Sequence, residues 1–335
     1  MRLIKSLFLL VILSALVLAA AIGYFVYLPF GPSQETFVDI PAGIGTEGIA
    51  NRLQRDGIIR NRYAFEAFRL RKGGVLHAGE YRFDHPAPLT EVYARIARGD
   101  VYTRTVVIPE GYNLYDIAQT VESAGLGPAS AFLAAARANT ALITDLSPHA
   151  ASLEGYLFPD TYKFSRHTTP TQMVTVMVRR FRQQTASLDW TSTSDRSDRI
   201  ILASLIEKEV AVGSERPLVA GVFENRLARN IPLATDPTVI YAALLDGRWK
   251  GPGPKTTIFR SDLDAPSPYN TYRHAGLPPG PICNPGLAAL NAALHPTPTD
   301  FLYFVADAQG HSRFAVDLQH HNANVQQYRK AQTRP

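Results

Sequence analysis

The sequence is poor in cysteine and in charged residues. Its one cysteine, Cys283, excludes an internal disulfide, and the chain has no Cys-x-x-Cys zinc motif. Charged residues make up 19% of the 335 residues, and the net charge is only +5. No basic run is dense, so we expect no nucleic-acid partner. The 46% of apolar residues instead indicates a globular protein, long enough for two or three domains.

A long apolar run begins shortly after the N-terminus. It is long enough to cross a bilayer as a helix, so we predict a short stub over residues 1–6 and a transmembrane helix over residues 7–29. Arg2 and Lys5 are expected to keep the stub in the cytoplasm, which places the rest of the chain outside the membrane. The alternative is a signal peptide cleaved at Ala19–Ala21, but the apolar run continues past these alanines.

Two segments with mixed helix and strand patterns follow, and they share a weak repeat. Ile40–Gly43 (Ile-Pro-Ala-Gly) recurs as Ile108–Gly111 (Ile-Pro-Glu-Gly), each time before an amphipathic helix. We therefore predict the α+β class, with a small domain over residues 36–103 and a larger mixed domain over residues 104–332. The layout of the small domain is similar to that of LysM-like modules, which bind glycan chains. A domain that only packs or spaces is the alternative.

The helix predicted over Asp198–Val210 carries the leading candidate for a catalytic residue. On a helical wheel, four apolar residues fall within an arc of about 140°: Ile201, Leu202, Leu205 and Ile206. Glu209 falls at about 80°, inside this stripe, whereas Glu207 falls at about 240°, outside it. A carboxyl against apolar surface loses solvation, which raises its pKa and suits it to general acid catalysis near neutral pH. The alternative is that the helix ends here and Glu209 meets water or an arginine.

Further candidates lie in an aromatic segment before this helix and an irregular segment after it. Aromatic faces with polar groups between them are typical of sugar-binding walls, and long ordered loops are often functional. The substrate-binding candidates are Glu154, Tyr156, Tyr269, Asn270 and Tyr272. An ordinary buried loop is the alternative for the first segment. Four other polar residues are candidates for supporting the cleft, and the last of them is most simply a helix cap: Glu215, Arg216, Asn225 and Asp236.

These motifs, taken in order along the chain, resemble the YceG-like family, the endolytic murein transglycosylases. The resemblance is carried by the N-terminal membrane segment and by eight further segments: Glu154–Tyr162, Leu202–Glu209, Ser214–Arg216, Val222–Leu227, Thr235–Tyr241, Tyr269–Tyr272, Gly276–Gly280 and Tyr303–Ala306. It implies that the catalytic residue is the second glutamate of the Glu-Lys-Glu motif, which is Glu209 here. Val210 departs from the Thr or Ala that often follows this motif, and the carboxylates remain in place.

The resemblance also implies an activity and a location. The expected reaction cleaves the β-1,4 MurNAc–GlcNAc bond within nascent peptidoglycan strands, leaves a 1,6-anhydro end and has a role in ending glycan polymerisation. The enzyme is expected to be a single-pass protein of the inner membrane with its catalytic part in the periplasm, beside glycan polymerases such as penicillin-binding proteins. The C6 hydroxyl of the substrate is the nucleophile, so one carboxylate suffices, with no metal or cofactor. A hydrolase that uses water and a non-catalytic glycan-binding scaffold are the alternatives.

Overall fold

A computed structural model describes residues 2–190, 196–248, 258–307 and 309–332. The chain divides into two compact units, Met1–Arg104 and Thr105–Pro335. Each unit has its own hydrophobic core. Both combine helices with short strands, so the predicted α+β class is confirmed.

The first unit begins with the apolar helix α1 and continues into a small domain. Its elements are α1 (Arg2–Ile22), a π-helical turn (Gly23–Tyr27), β1 (Thr36–Ile40), α2 (Thr46–Arg55), α3 (Arg62–Lys72), β2 (Gly79–Phe83) and α4 (Leu89–Arg98). The two strands pair antiparallel, with Val38 opposite Tyr81. Alternate strand residues point to one face, and there Val38, Ile40, Tyr81 and Phe83 are buried against the helices. The LysM-like character of this domain stays a prediction.

The N-terminal helix is mainly apolar, and most of its large apolar side chains are exposed. The span Lys5–Tyr27 has a mean hydropathy of 2.7, and its most apolar window has no buried residue. A helix that is apolar all round belongs in a protein core or in a membrane. By length and composition, this one is able to cross a bilayer.

The second unit is larger and mainly helical. Its elements are β3 (Arg104–Val107), α5 (Leu114–Ser123), α6 (Ala129–Ala138), β4 (Thr161–Phe164), α7 (Pro170–Thr185), α8 (Arg196–Glu209), α9 (Arg216–Ala228), α10 (Asp236–Leu245), α11 (Arg260–Leu263), α12 (Leu287–Leu294), β5 (Tyr303–Ala306), β6 (Ser312–Ala315) and α13 (Leu318–Gln332). One-turn 3₁₀ helices span Thr140–Ile143 and Gly213–Glu215. The strands pair β3 with β4 and β5 with β6, the latter antiparallel with Phe304 opposite Phe314.

Helix α8 lies at the centre of the second unit and is packed by α9, α10 and α12. Every residue from Ile200 to Ile206 is buried, so the apolar stripe predicted from the wheel is too narrow. The one polar residue in this run, Ser204, accepts a hydrogen bond from the Ile282 amide (3.1 Å) and donates one to the Ile201 carbonyl (2.7 Å). With its hydroxyl paired, the helix is buried on all sides without an unsatisfied polar group at this position.

Helix α9 contains a glycine that allows a second segment to approach closely. A Cβ built on Gly221 would overlap the Thr297 carbonyl oxygen and lie 3.0 Å from the Thr299 methyl group. This close approach matters for the site, because α9 carries Arg226 and the neighbouring segment leads into β5.

Gly221→Ala should therefore destabilise the protein, although Gly to Ala inside a helix normally stabilises by about 1 kcal/mol. We expect a loss of about 2 kcal/mol from overpacking against Thr297, seen as a lower thermal unfolding midpoint. Gly48→Ala in α2 is the matched control, because its added methyl would make only ordinary contacts with Ile44. A raised midpoint for Gly221→Ala would contradict the close approach.

Candidate active site

The two glutamates at the end of α8 have different environments. The Glu207 side chain is 5% exposed and fully paired: Arg216 donates to Oε1 (2.9 Å) and the Gly286 amide donates to Oε2 (3.0 Å). Glu207 therefore fastens the end of α8 to α9 and to the start of α12. Arg216, predicted to support the cleft, does so by pairing with Glu207.

Glu209 is the last residue of α8 and lies at the edge of the core. Its side chain is partly exposed, and its carboxyl has no hydrogen bond or ion pair with the described part of the chain. The pKa of Glu209 is raised to about 7, mainly by burial among protein atoms and secondly by the nearby charge of Asp236, while the charge of Arg226 opposes the rise. The carboxyl is thus able to carry a proton near neutral pH while it remains accessible to a ligand.

Asp236 faces this carboxyl from α10. It is exposed and accepts a hydrogen bond from the Tyr272 hydroxyl (2.7 Å). The pKa of Tyr272 is raised mainly by burial, and also by its hydrogen bond to Asp236 and by the charge of that carboxylate. The tyrosine therefore keeps its proton and remains a hydrogen-bond donor. The prediction that Asp236 caps α10 is wrong, since Thr235 occupies the N-cap position and Asp236 is the first helical residue. The charge of its carboxylate acts on Glu209.

Arg226 supplies the positive charge beside Glu209. Its guanidinium donates to three backbone carbonyls: Leu302 (2.6 Å), Leu233 (2.8 Å) and Pro232 (3.2 Å). It also lies over the Tyr303 ring, 5.0 Å from the ring centre, and that ring stacks on His321. Because these contacts fix the guanidinium, Arg226 acts on Glu209 as a positive charge in a set position and not as a salt-bridge partner.

The sequence interpretation missed Arg226, Tyr303 and His321 as residues of the site. Arg226 and Tyr303 both fall within segments that carry the family resemblance, which was the only signal available for them. We refer to Glu209, Arg226, Asp236 and Tyr272 as the Glu209 cluster.

Two predicted substrate-binding residues lie inside the protein. Glu154 is 4% exposed and Tyr156 is 1% exposed, so neither side chain is open to a glycan in this structure. Glu154 Oε1 accepts from Asn284 (3.0 Å), and Oε2 accepts from the Leu114 amide and the Tyr241 hydroxyl, both at 2.9 Å. Burial raises the pKa of Glu154 to about 8. The prediction that Glu154 and Tyr156 bind substrate is therefore corrected, and both are structural residues. The Glu154 carboxyl joins the N-terminus of α5 to the core.

Asn270 is also buried, and it shapes the loop that presents Tyr272. It donates to the carbonyls of Leu263 (2.8 Å) and Ala265 (2.9 Å) and accepts from the Tyr272 amide (3.0 Å). Its prediction as a direct sugar ligand is therefore replaced by a supporting position. Tyr269 is half-buried with its ring 5.1 Å from that of Tyr241, and burial raises its pKa to about 12. Of the five predicted substrate-binding residues, Tyr272 is the one with an exposed side chain.

Glu215 and Asn225 connect helical segments to the β5–β6 region. Glu215 accepts from the Ser312 amide (3.0 Å) and lies 3.1 Å from Nδ1 of His311. Asn225 donates to the carbonyls of Thr299 (2.7 Å) and Phe301 (3.0 Å). These contacts hold in place the segment whose Leu302 carbonyl accepts from Arg226, which makes both residues part of the support of the Glu209 cluster.

The chemistry of the site is that of one polarised carboxyl. Among the described residues, no group of three or more His, Cys, Asp and Glu side chains is placed to hold a metal ion. The arrangement can donate a proton from Glu209, take it back, and place a negative charge, Asp236, nearby.

Glu209→Gln should make the protein more stable at alkaline pH, because the wild-type carboxylate is poorly solvated when it is ionised. The pKa of Glu209 is about 7 in the folded protein and 4.5 ordinarily. The contribution of this carboxyl to the free energy of unfolding is therefore fully present below about pH 4.5 and is lost as the pH rises through 7. Glutamine does not titrate, so the variant should match the wild type at pH 4 and exceed it by roughly 1–3 kcal/mol at pH 8.

Denaturant unfolding at the two pH values measures this difference. Asp300→Asn is the control, because Asp300 is exposed and has no hydrogen bond or ion pair among the described residues. Equal effects of the two substitutions at pH 8 would contradict the unusual environment of Glu209.

Comparison with known proteins places these residues in a family context. The model of the YceG-like family matches residues 38–327. An endolytic murein transglycosylase of Bacillus subtilis is 32% identical over 87% of this chain and 84% of its own length. An enzyme of the same name from Streptococcus pneumoniae is 30% identical over 93% of this chain, which spans 63% of that relative.

A solved structure supports the same assignment. The crystal structure of a putative YceG-like protein from Listeria monocytogenes superposes with a TM-score of 0.59 at 30% identity, covering 87% of this chain and 99% of that one. The family model covers both the small domain and the Glu209 cluster, and the relatives align over most of the chain. The chain therefore belongs to the YceG-like family.

Proposed function

We propose that this protein is a membrane-anchored endolytic lytic transglycosylase that cleaves the β-1,4 MurNAc–GlcNAc bond of peptidoglycan strands and leaves a 1,6-anhydro end. The observation that carries the proposal is the Glu209 carboxyl, partly exposed, unpaired among the described residues and with its pKa raised to about 7. The names of the relatives, endolytic murein transglycosylases, support the substrate class.

The reaction uses Glu209 twice. Its protonated carboxyl gives a proton to the glycosidic oxygen as the bond from that oxygen to C1 of the muramic acid breaks. The resulting carboxylate then takes the proton of the C6 hydroxyl as this oxygen bonds to C1, which returns the enzyme to its starting state. The ring closure is intramolecular, so holding the sugar with its hydroxyl near C1 supplies much of the rate.

Asp236 and Tyr272 are the groups beside Glu209 that are positioned to face a sugar. Positive charge develops on C1 and the ring oxygen as the bond breaks, and the exposed Asp236 carboxylate would stabilise it. The Tyr272 hydroxyl bonded to Asp236 fixes the direction of this carboxylate. We assign Asp236 to charge stabilisation and Tyr272 to its positioning and to contact with the sugar.

Hydrolysis by water is the second candidate function, and Asp236 is the observation that favours it. Ordinary glycosidases use two carboxylates. Here Asp236 lies near Glu209, and its charge raises the pKa of that carboxyl. The two reactions differ in their product, since hydrolysis leaves a reducing end and transglycosylation an anhydro end. A non-catalytic glycan-binding scaffold would give neither product.

The location of the enzyme is part of the proposal. Lys5–Tyr27 crosses the inner membrane once, Arg2 and Lys5 lie on the cytoplasmic side, and the small domain over residues 36–103 and the second unit lie in the periplasm. This arrangement gives access to glycan strands made at the membrane, beside the polymerases that extend them. We also propose that residues 36–103 form a LysM-like domain and residues 104–332 the catalytic domain, because the family model spans both.

Glu209→Gln should remove the activity and keep the fold. The amide has nearly the shape of the carboxyl but no transferable proton, so we expect the yield of anhydro ends to fall at least 100-fold. Mass spectrometry of digested glycan strands measures both kinds of end. Asp300→Asn should cleave at the wild-type rate. Normal anhydro-end production by Glu209→Gln would refute the assignment of Glu209, and reducing ends from the wild type would establish hydrolysis.

The pH dependence should report the charge balance around Glu209. Only the protonated carboxyl begins the reaction, so the rate should fall as the pH rises through about 7. Asp236→Asn removes the charge that raises this pKa and should move the alkaline fall to lower pH. Tyr272→Phe keeps the Asp236 charge and should leave the midpoint closer to that of the wild type. A midpoint unchanged by Asp236→Asn would contradict the interaction between the two carboxylates.

A further inference from the structure

A groove in the first unit has no role in the proposed reaction. Its volume is about 490 Å³, and Tyr27 forms one wall while α3 and α4 form the others. Phe68, Tyr93 and Ala97 give it an apolar surface, and Lys72 and Arg98 add two positive charges. An apolar floor with cations at the rim suits an amphiphile that carries negative charge.

The position of the groove relative to the apolar span is fixed by contacts within the unit. Tyr27 is the last residue of the span Lys5–Tyr27. The turn that contains it is held to the domain by Arg60, which donates to the Tyr24 hydroxyl (3.1 Å) and the Pro29 carbonyl (3.0 Å). The Arg60 guanidinium also lies over the Tyr24 ring at 4.5 Å. The groove therefore opens beside the end of the span, where lipid headgroups lie once the span is in a membrane.

The cations of the groove are available to a ligand to different degrees. Lys72 is exposed and has no hydrogen bond or ion pair within the described ranges of the chain. Arg98 is shared with Asp100, its closest contact being 2.6 Å. The apolar surface of Phe68 and Ala97 beside these cations is typical of surfaces that bind anionic lipid.

We propose that this groove binds one anionic phospholipid of the membrane that α1 crosses, with the phosphate at Lys72 and Arg98 and an acyl chain along Phe68 and Ala97. This inference rests on the membrane anchoring in the proposed function. The bound lipid would hold the small domain against the membrane surface, because the same ligand contacts the end of the span and two helices of the domain.

Native mass spectrometry of the full chain in detergent tests the site. Dioleoylphosphatidylglycerol is titrated against the same protein, in parallel with phosphatidylcholine of the same chains. We expect one phosphatidylglycerol to bind at least tenfold more tightly than phosphatidylcholine. Lys72→Gln should weaken its binding about fivefold, as expected for one cation near a lipid surface, and Lys72→Gln with Arg98→Gln should remove the preference.

Two variants separate a defined groove from diffuse attraction. Arg71→Gln removes the same charge one position away from Lys72 but outside the groove, and it should bind as the wild type does. Ala97→Trp keeps every charge and fills the groove, and it should lose binding. Equal losses in Arg71→Gln and Lys72→Gln, unchanged binding by Ala97→Trp, or equal affinity for the two lipids would each overturn the proposal.

The result is independent of glycan cleavage. Glu209→Gln should bind the lipid as the wild type does, so a failure of the lipid site and a failure of the proposed enzyme activity appear in different measurements. Alkaline extraction of membranes checks the anchoring: the chain should stay with the membrane fraction, and its release would overturn both the anchoring and the lipid site.

Discussion

The chemistry of the candidate site in the second unit depends on the loss of solvation at one carboxyl, that of Glu209. This residue ends a helix whose preceding turns are buried on all sides, so the carboxyl emerges from the core with little water around it. Helices α9 and α10 supply the charges that act on it, Arg226 and Asp236. The raised pKa is therefore a property of how three helices meet, and it needs no change in the chemistry of the side chain itself.

The balance between the two neighbouring charges keeps Glu209 able to exchange its proton. If Arg226 were free to form a salt bridge, it would hold the carboxyl in its ionised form and remove its acidity. Three backbone carbonyls and the Tyr303 ring occupy the guanidinium instead. Asp236 acts in the opposite direction and is itself fixed by the Tyr272 hydroxyl. The pKa then lies near neutral pH, where donating a proton and recovering it are both easy.

Sequence patterns pointed to Glu209, Asp236 and Tyr272 but not to Arg226 or to how these groups act on one another, and the reason is physical. The wheel reports contacts within one helix, and Glu209 is defined by its place at the end of α8. Arg226 depends on carbonyls that the loops before α10 and β5 bring to it, which no local pattern encodes. Glu154 and Asn270 were predicted to face the substrate because aromatic and polar spacing looks the same in a binding wall and in a buried, hydrogen-bonded loop.

Glu207 and Glu209 show how one short motif provides both stability and reactivity. Two residues along a helix means a rotation of about 200°, so the two carboxyls face opposite directions. Glu207 turns toward Arg216 and the Gly286 amide, and this paired, buried carboxylate fixes the end of α8. Glu209 turns toward the surface and is left without a partner among the described residues, which costs stability. The surroundings must hold such a poorly solvated group in place, and the pairing of Glu207 two residues away fixes the end of the helix that carries it.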